Sequence, residues 1–276
     1  MNHHHHHEHE HGGLPDLLDL DAEVLAGPLR VVLETIEDLA DAPVRSILDL
    51  GAGTGAGTFA LLQHFDAASA VAVDASDDML GRLRDKADRL GLSDRVRTVY
   101  ADLDEGVPSL DPVDLAWASA SLHHLTDPDA TLAQLLPMIR PGGLLAVVEL
   151  TDHPRFLPDD TVEGAAEARA HDLVAADRAV DMPEMGSDWG SRLTRTGLAV
   201  EVERPVVVDL PPPHAPVVGT YAAAALTRIQ GAVADRLDTA DRERFDSLLD
   251  GGPHDVRRRS DLHIRAERQL WVARRA

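Results

Sequence analysis

Two adjacent histidines and one glutamate are the side chains of this sequence best placed to move a proton. His123 and His124 follow one apolar run, and Glu149 ends the next. An imidazole near neutrality accepts a proton from a hydroxyl or an amine, and a neighbouring carboxylate fixes which ring nitrogen does so. His153 lies on the loop beyond. A second set of residues is suited to holding a ligand. Gly51, Gly53 and Gly55 come directly after the apolar run 46–50 and open a helical stretch. Glycines there let the backbone turn tightly and approach a ligand, while the helix N-terminus favours polar or negative groups. Asp74, 23 residues past Gly51, ends a second apolar run, and Asp102 ends a third. The first acid can accept from both hydroxyls of a ribose, each charged hydrogen bond contributing roughly 1.5–3 kcal/mol. The second can accept from an adenine amino group, with Leu103 against the ring.

The elements that must position these residues follow from periodicity. Residues 14–41 have apolar side chains at helical spacing, with an interruption expected at Pro28. Strands are predicted at 46–50, 70–73, 96–101, 113–118 and 144–150, with helices through 62, at 77–90 and at 128–139. Met79, Leu80, Leu83 and Leu90 form the apolar side of the helix at 77–90, and residues 141–143 read as a sharp turn. Five βα units imply a parallel sheet covered on both faces, with the ligand at the carboxyl ends of the strands, where strand order reverses. Beyond residue 150 the rhythm changes: helices at 161–181 and 187–196, a strand at 200–210, helices at 217–236 and 239–249, and a last strand within 262–272. The added helices form either a cap over the ligand edge or an oligomer surface, a homodimer being the simplest case.

Composition removes several chemistries. With 26 Lys+Arg against 48 Asp+Glu the formal charge is −22, which repels the phosphates of a nucleic acid. There is no cysteine, so disulfides, iron–sulfur clusters and thiol nucleophiles are excluded. Lys86 is the only lysine, and it cannot serve a Schiff base, a P-loop or a Tyr-x-x-x-Lys dehydrogenase. Aromatic residues make up 3%, so aliphatic side chains must pack the core. No apolar run reaches the roughly 20 residues that span a bilayer, and the polar start reads as no secretory signal. A cytoplasmic protein acting on a small molecule, without nucleic-acid or membrane partners, is expected.

Residues 44–150 resemble the core of the class I S-adenosylmethionine-dependent methyltransferases of the small-molecule type. The resemblance rests on Ile47 to Gly55, on Val73 to Ser76, on Ala101 to Leu103, on Ser119 to Leu125 and on Leu136 to Gly143. It implies a Rossmann-like α/β fold, a seven-stranded, mostly parallel sheet with helices on both faces and a last antiparallel strand. It also implies S-adenosyl-L-methionine as cofactor. Gly51, Ala52, Gly53 and Gly55 would wrap its methionine part, and Asp49 would steady the loop. Asp74 would take the ribose, Ala75 and Met79 would flank the adenine, Asp102 and Leu103 would read its amino edge, and Ser119 would lie beneath the sulfonium. The chain is accordingly divided into a histidine-rich tail (1–13), a helical segment (14–43), a cofactor-binding core (44–150) and the rest of the sheet (151–276). The last part carries helical cap insertions at about 151–196 and 211–260.

Methyl transfer from a sulfonium is an in-line displacement in which the protein chiefly aligns the nucleophile; a base is required only where the acceptor must lose a proton. His123 with Glu149 is the preferred catalytic pair, with His124 as the alternative base. Arg257, Arg258 and Arg259 form the only basic run, read as local charge balance or as a clamp for a carboxylate or phosphate. The tail, His3 to His7 and then Glu8, His9, Glu10 and His11, is read as a tag, a polar tail or a weak metal-binding tract, with no metal in the site itself. Two other readings stay open. One is a protein that binds this cofactor without methyl transfer, regulatory or pericyclase-like. The other is a nicotinamide oxidoreductase, which would have no need of Asp102.

Overall fold

The computed structural model describes residues 13–182 and 184–276, so the histidine tract at 3–11 lies outside the described residues. Seven strands form one sheet: β1 (Ser46–Leu50), β2 (Ser69–Asp74), β3 (Val96–Tyr100), β4 (Val113–Ser119), β5 (Ile139–Leu150), β6 (Leu198–Leu210) and β7 (Ile264–Arg275). Their order is β3-β2-β1-β4-β5-β7-β6, and only β7 runs against its neighbours. Chain direction reverses its march between β1 and β4, so the crevice outside their carboxyl ends is the topological switch point. The apolar runs become central strands because both sheet faces are covered: four of the five residues of β1 are buried.

The helices are α1 (Leu14–Val24), α2 (Ala26–Leu39), α3 (Ala56–His64), α4 (Asp77–Leu90), α5 (Pro128–Leu135), α6 (Val162–Asp181), α7 (Trp189–Thr196), α8 (Pro216–Val233) and α9 (Thr239–Leu249). Local chemistry sets many of their ends. In α4 the Ser76 hydroxyl accepts from the Met79 N–H, acids fill the first turn and Gly91 closes the helix in the left-handed region. Asp127, Thr161, Asp188 and Asp238 cap four others in the same way.

Several expectations need correction. The N-terminal break falls at Leu25, and Pro28 sits in the first turn of α2, where a missing N–H costs nothing. The segment between β3 and β4 holds no helix among the described residues, so the five-unit βα count is too high. Residues 141–143 do not separate helix from strand; they lie within β5, where its register with β4 shifts. Leu90 is exposed, because α4 ends there and buries Leu80, Leu83 and Ala87 instead. The last strand runs on to Arg275.

The sheet carries one apolar core on each face. A further core joins α1, α6, α8 and α9 around Phe156, Tyr221, Leu226 and Phe245. That third core roofs the carboxyl ends of β1, β4 and β5. Among the described residues, no helix is long and apolar enough to cross a membrane.

Candidate active site

A cavity of about 970 Å³ opens between the switch point and this roof. Its floor is the turn from β1 into α3. Gly51, Gly53 and Gly55 all have positive φ, and the Gly51 and Ala52 N–H groups both donate to the Val73 carbonyl. Gly51 tolerates no side chain: a Cβ there would lie 2.5 Å from that of Ser121. Asp74, at the tip of β2, accepts from the Gly53 N–H (2.8 Å) and the Ser76 N–H (2.9 Å), tying the loop to the neighbouring strand. Asp49 is buried at the end of β1 and accepts from the Thr58 hydroxyl at 2.5 Å. Burial pushes its carboxyl up to about 7, reinforced by the charge of Asp74 and only partly offset by Thr58.

At the end of β4 the backbone is unusual. Ala120 lies on the cavity wall with φ of 51°, a conformation costly for any residue with a Cβ. The chain then turns so that His123 is buried against the end of β5. His123 Nδ1 lies 2.5 Å from Glu149 Oε2, and the other Glu149 oxygen accepts from the N–H groups of Ser121 and Leu122. The Nε2 atom of His123 has no hydrogen-bond partner among the described residues, and the residue lines the cavity. With Glu149 ionised, Nδ1 carries the proton and Nε2 is left as a free acceptor.

Asp49, Gly51, Ala52, Gly53, Asp74, Met79, Ser119 and His123 therefore share one cavity wall. Gly55 stands apart: a Cβ there would meet Phe59 and Leu83, so its lack of a side chain lets α3 and α4 pack. Ala75, Asp102, Leu103 and Glu149 are also away from the wall. Asp102 is exposed at the end of β3 and accepts from the Asp104 N–H. His124 and His153 do line the cavity. Burial lowers both from the ordinary imidazole value, His153 to about 4 with help from Arg178, so both rings are neutral at pH 7.

Sequence reading offered the inserted helices as a cap or an oligomer surface but named none of the residues that line the cavity from the roof. Leu14, Leu18 and Asp21 come from α1, Tyr221 and Arg228 from α8, and Arg268 from β7. One signal was available: Arg228 is the only charged residue in the 18 of α8. The run Arg257–Arg259 stays off the cavity; Arg257 pairs with Asp255 and Arg259 with Asp261, while Arg258 is exposed.

A glycine-floored switch-point cleft with an acid at the tip of the second strand defines a binder of nucleoside-type cofactors. Comparison with known proteins narrows this. Residues 47–143 match a family described as a methyltransferase domain. Trans-aconitate 2-methyltransferase of Azoarcus sp. (strain BH72) is 36% identical over 102 residues, 37% of this chain and 38% of that one. Malonyl-(acyl-carrier protein) O-methyltransferase of Laribacter hongkongensis (strain HLHK9) is 31% identical over 176 residues, 60% of this chain and 55% of that one. The chain thus spans about half or less of the length of these relatives. Among solved structures, the (4+2)-cyclase SpnF superposes with a TM-score of 0.51 at 19% identity, over 96% of this chain and 95% of that one. Likeness at that identity is one of architecture. Over residues 47–143 the chain is thus similar to a methyltransferase domain, and these two relatives are named as methyltransferases.

Proposed function

We propose that the protein transfers a methyl group from S-adenosylmethionine to a small-molecule acceptor held between the glycine floor and the helical roof. The observation that carries this reading is His123, held from behind by Glu149, lining the same cavity as Gly51, Gly53 and Asp74. The floor suits the cofactor: Gly51, Ala52 and Gly53 bring backbone to the cavity, and Asp49 and Asp74 line a site that would hold a cation. Gly51, Ala52 and Gly53 would hold the methionine part, Asp74 the ribose, Met79 and Ala75 the adenine, and Asp102 with Leu103 the amino edge. Ser119 would lie beneath the sulfur. When bound, the cofactor supplies an electrophilic methyl group on a positively charged sulfur.

The chain's own residues do the remainder. His123 Nε2 takes the proton that an acceptor hydroxyl or ammonium must lose. Glu149 is a positioning residue: its oxygens are committed to the imidazole and to two backbone N–H groups, so it acts through His123. The roof excludes water and brings the acceptor into line, an effect that can be worth roughly 7–11 kcal/mol.

The test is turnover of labelled cofactor against a metabolite panel, with binding of S-adenosylhomocysteine and NADH measured in parallel. The expected result is tight S-adenosylhomocysteine binding, none of NADH, and methyl transfer that falls about 100-fold or more in His123→Ala, the range for loss of a general base. Glu149→Gln should lower kcat with KM held, and cofactor affinity should stay normal in both variants. Cofactor binding without transfer to any acceptor would favour the non-transferring alternative.

A further inference from the structure

Helix α8 packs its apolar residues into the roof, yet Arg228 on the same helix lines the cavity. The other charged groups of the upper wall are paired. Arg178 donates to Asp152 at 2.7 Å, Arg268 to Asp21 at 2.6 Å, and Arg236 to Asp177 at 2.9 Å. Arg228 makes no ion pair or hydrogen bond among the described residues. Arg228 is exposed at the cavity wall, so its five donors are held by water and can be taken up by an anionic ligand that enters the chamber.

The surroundings favour a single, planar negative charge. His124 and His153 share this wall, and the charge of Arg228 adds to burial in keeping both neutral. Each ring therefore offers one N–H donor without adding a second positive charge. With Arg178, Arg268 and Arg236 already paired, the guanidinium of Arg228 matches one negative charge better than a polyanion such as a diphosphate. The rest of the upper wall, including Val174, Met185, Ile229 and Ala232, is apolar.

We propose that Arg228, assisted by His124 and His153, is the receptor for a carboxylate on the acceptor, and that the substrate class is an apolar monocarboxylate whose methyl-accepting group lies toward His123. This rests on the acceptor occupying the cavity assigned to it above. The carboxylate is a handle, and the planar guanidinium can grip it with two parallel N–H bonds.

Isothermal titration of decanoate, decan-1-ol and decyl phosphate into the full chain saturated with S-adenosylhomocysteine tests the assignment. Decanoate should bind at least about tenfold more tightly than decan-1-ol, and Arg228→Gln should weaken it about 10- to 100-fold, as loss of a charged hydrogen bond implies. Arg228→Lys should recover part of that affinity. Arg228 lies outside the packed core, so S-adenosylhomocysteine affinity should be unchanged in both variants, which also reports that they fold. Equal binding of decanoate and decan-1-ol, or no effect of Arg228→Gln, overturns the proposal. Tighter binding of decyl phosphate than of decanoate overturns the carboxylate assignment. Failure of the wild-type chain to bind S-adenosylhomocysteine counts against the methyltransferase reading instead. The decanoate titrations are then repeated on the free protein, and the same comparison of wild type with Arg228→Gln decides.

Discussion

Asp49 joins the cofactor floor to the buried core, and its titration is where one residue should be visible in solution. Its ordinary value is 3.8, and in the fold it rises to about 7, with burial the main cause. Between those values the folded chain holds a proton that the unfolded chain has released. Stability from this group is thus fully present below 3.8 and is lost as pH rises through about 7. A cation bound nearby reverses the preference, because it favours the ionised carboxylate and expels the proton. Affinity for the sulfonium cofactor should therefore rise between about pH 6 and about pH 8, while that for the uncharged-sulfur product stays flatter. Calorimetric titrations of both ligands at several pH values give the two slopes; equal slopes, or slopes unchanged in Asp49→Asn, would sink the idea.

At the scale of elements, α1 is the piece that closes the cavity. None of its residues is fully buried, and polar contacts hold it. Asp16 pairs with Arg82, and Asp19 with Lys86 and the Thr54 hydroxyl of the glycine turn. Asp21 receives Arg268 and the Tyr221 hydroxyl, at 2.6 Å each. The first pair is exposed and contributes little. The last cluster is mostly shielded, with 18% of the Arg268 side chain and 23% of Asp21 exposed. Asp21→Ala leaves a guanidinium and a phenol without their acceptor. It should cost about 3 kcal/mol, the lower end for breaking a buried pair, measured by urea unfolding. S-adenosylhomocysteine affinity should fall with it, because Leu14 and Leu18 close the cavity from the same helix. A loss below about 0.5 kcal/mol would mean that α1 is held by other contacts. Periodicity found α1 and α2 but set the break between them at Pro28, three residues late, because Leu25 carries no breaking signal and the visible proline falls where a helix start tolerates it.

For the whole molecule, the roof and the sheet share structure. β7 supplies Arg268 to the cavity and pairs with both β5 and β6, while α1 touches the glycine turn and α8 together. Core and roof should therefore unfold in one transition. Saturation with S-adenosylhomocysteine at about 100 times its Kd should stabilise that transition by about 2.7 kcal/mol. Differential scanning calorimetry checks this, and two transitions of which only one moves with ligand would refute a shared unit. The charge of −22 adds a second expectation. Moderate salt screens repulsion among surface acids and should raise Tm, even though it weakens exposed pairs such as Arg30–Glu34.

The residues alone determined the sheet's first half and the glycine turn that floors the cavity. Apolar runs ending in Gly51, Asp74 and Ser119 are local patterns, and in parallel α/β structure a strand's end is also the ligand edge. His123 and Glu149 were legible for the same reason, since each closes a neighbouring strand; the 2.5 Å contact between them required the fold. Tertiary structure alone decided which residues of the roof face the cavity. Leu18, Tyr221, Arg228 and Arg268 are far apart along the chain, and nothing in their spacing shows that they face one chamber. It also separated two arginine signals that look inverted in the sequence. In the conspicuous run at 257–259, Arg257 and Arg259 are paired with acids two residues away and none of the three lines the cavity, whereas the single Arg228 is carried on an apolar helix to the cavity wall. Composition fixes how many charges a chain holds, and packing fixes which of them line a cavity.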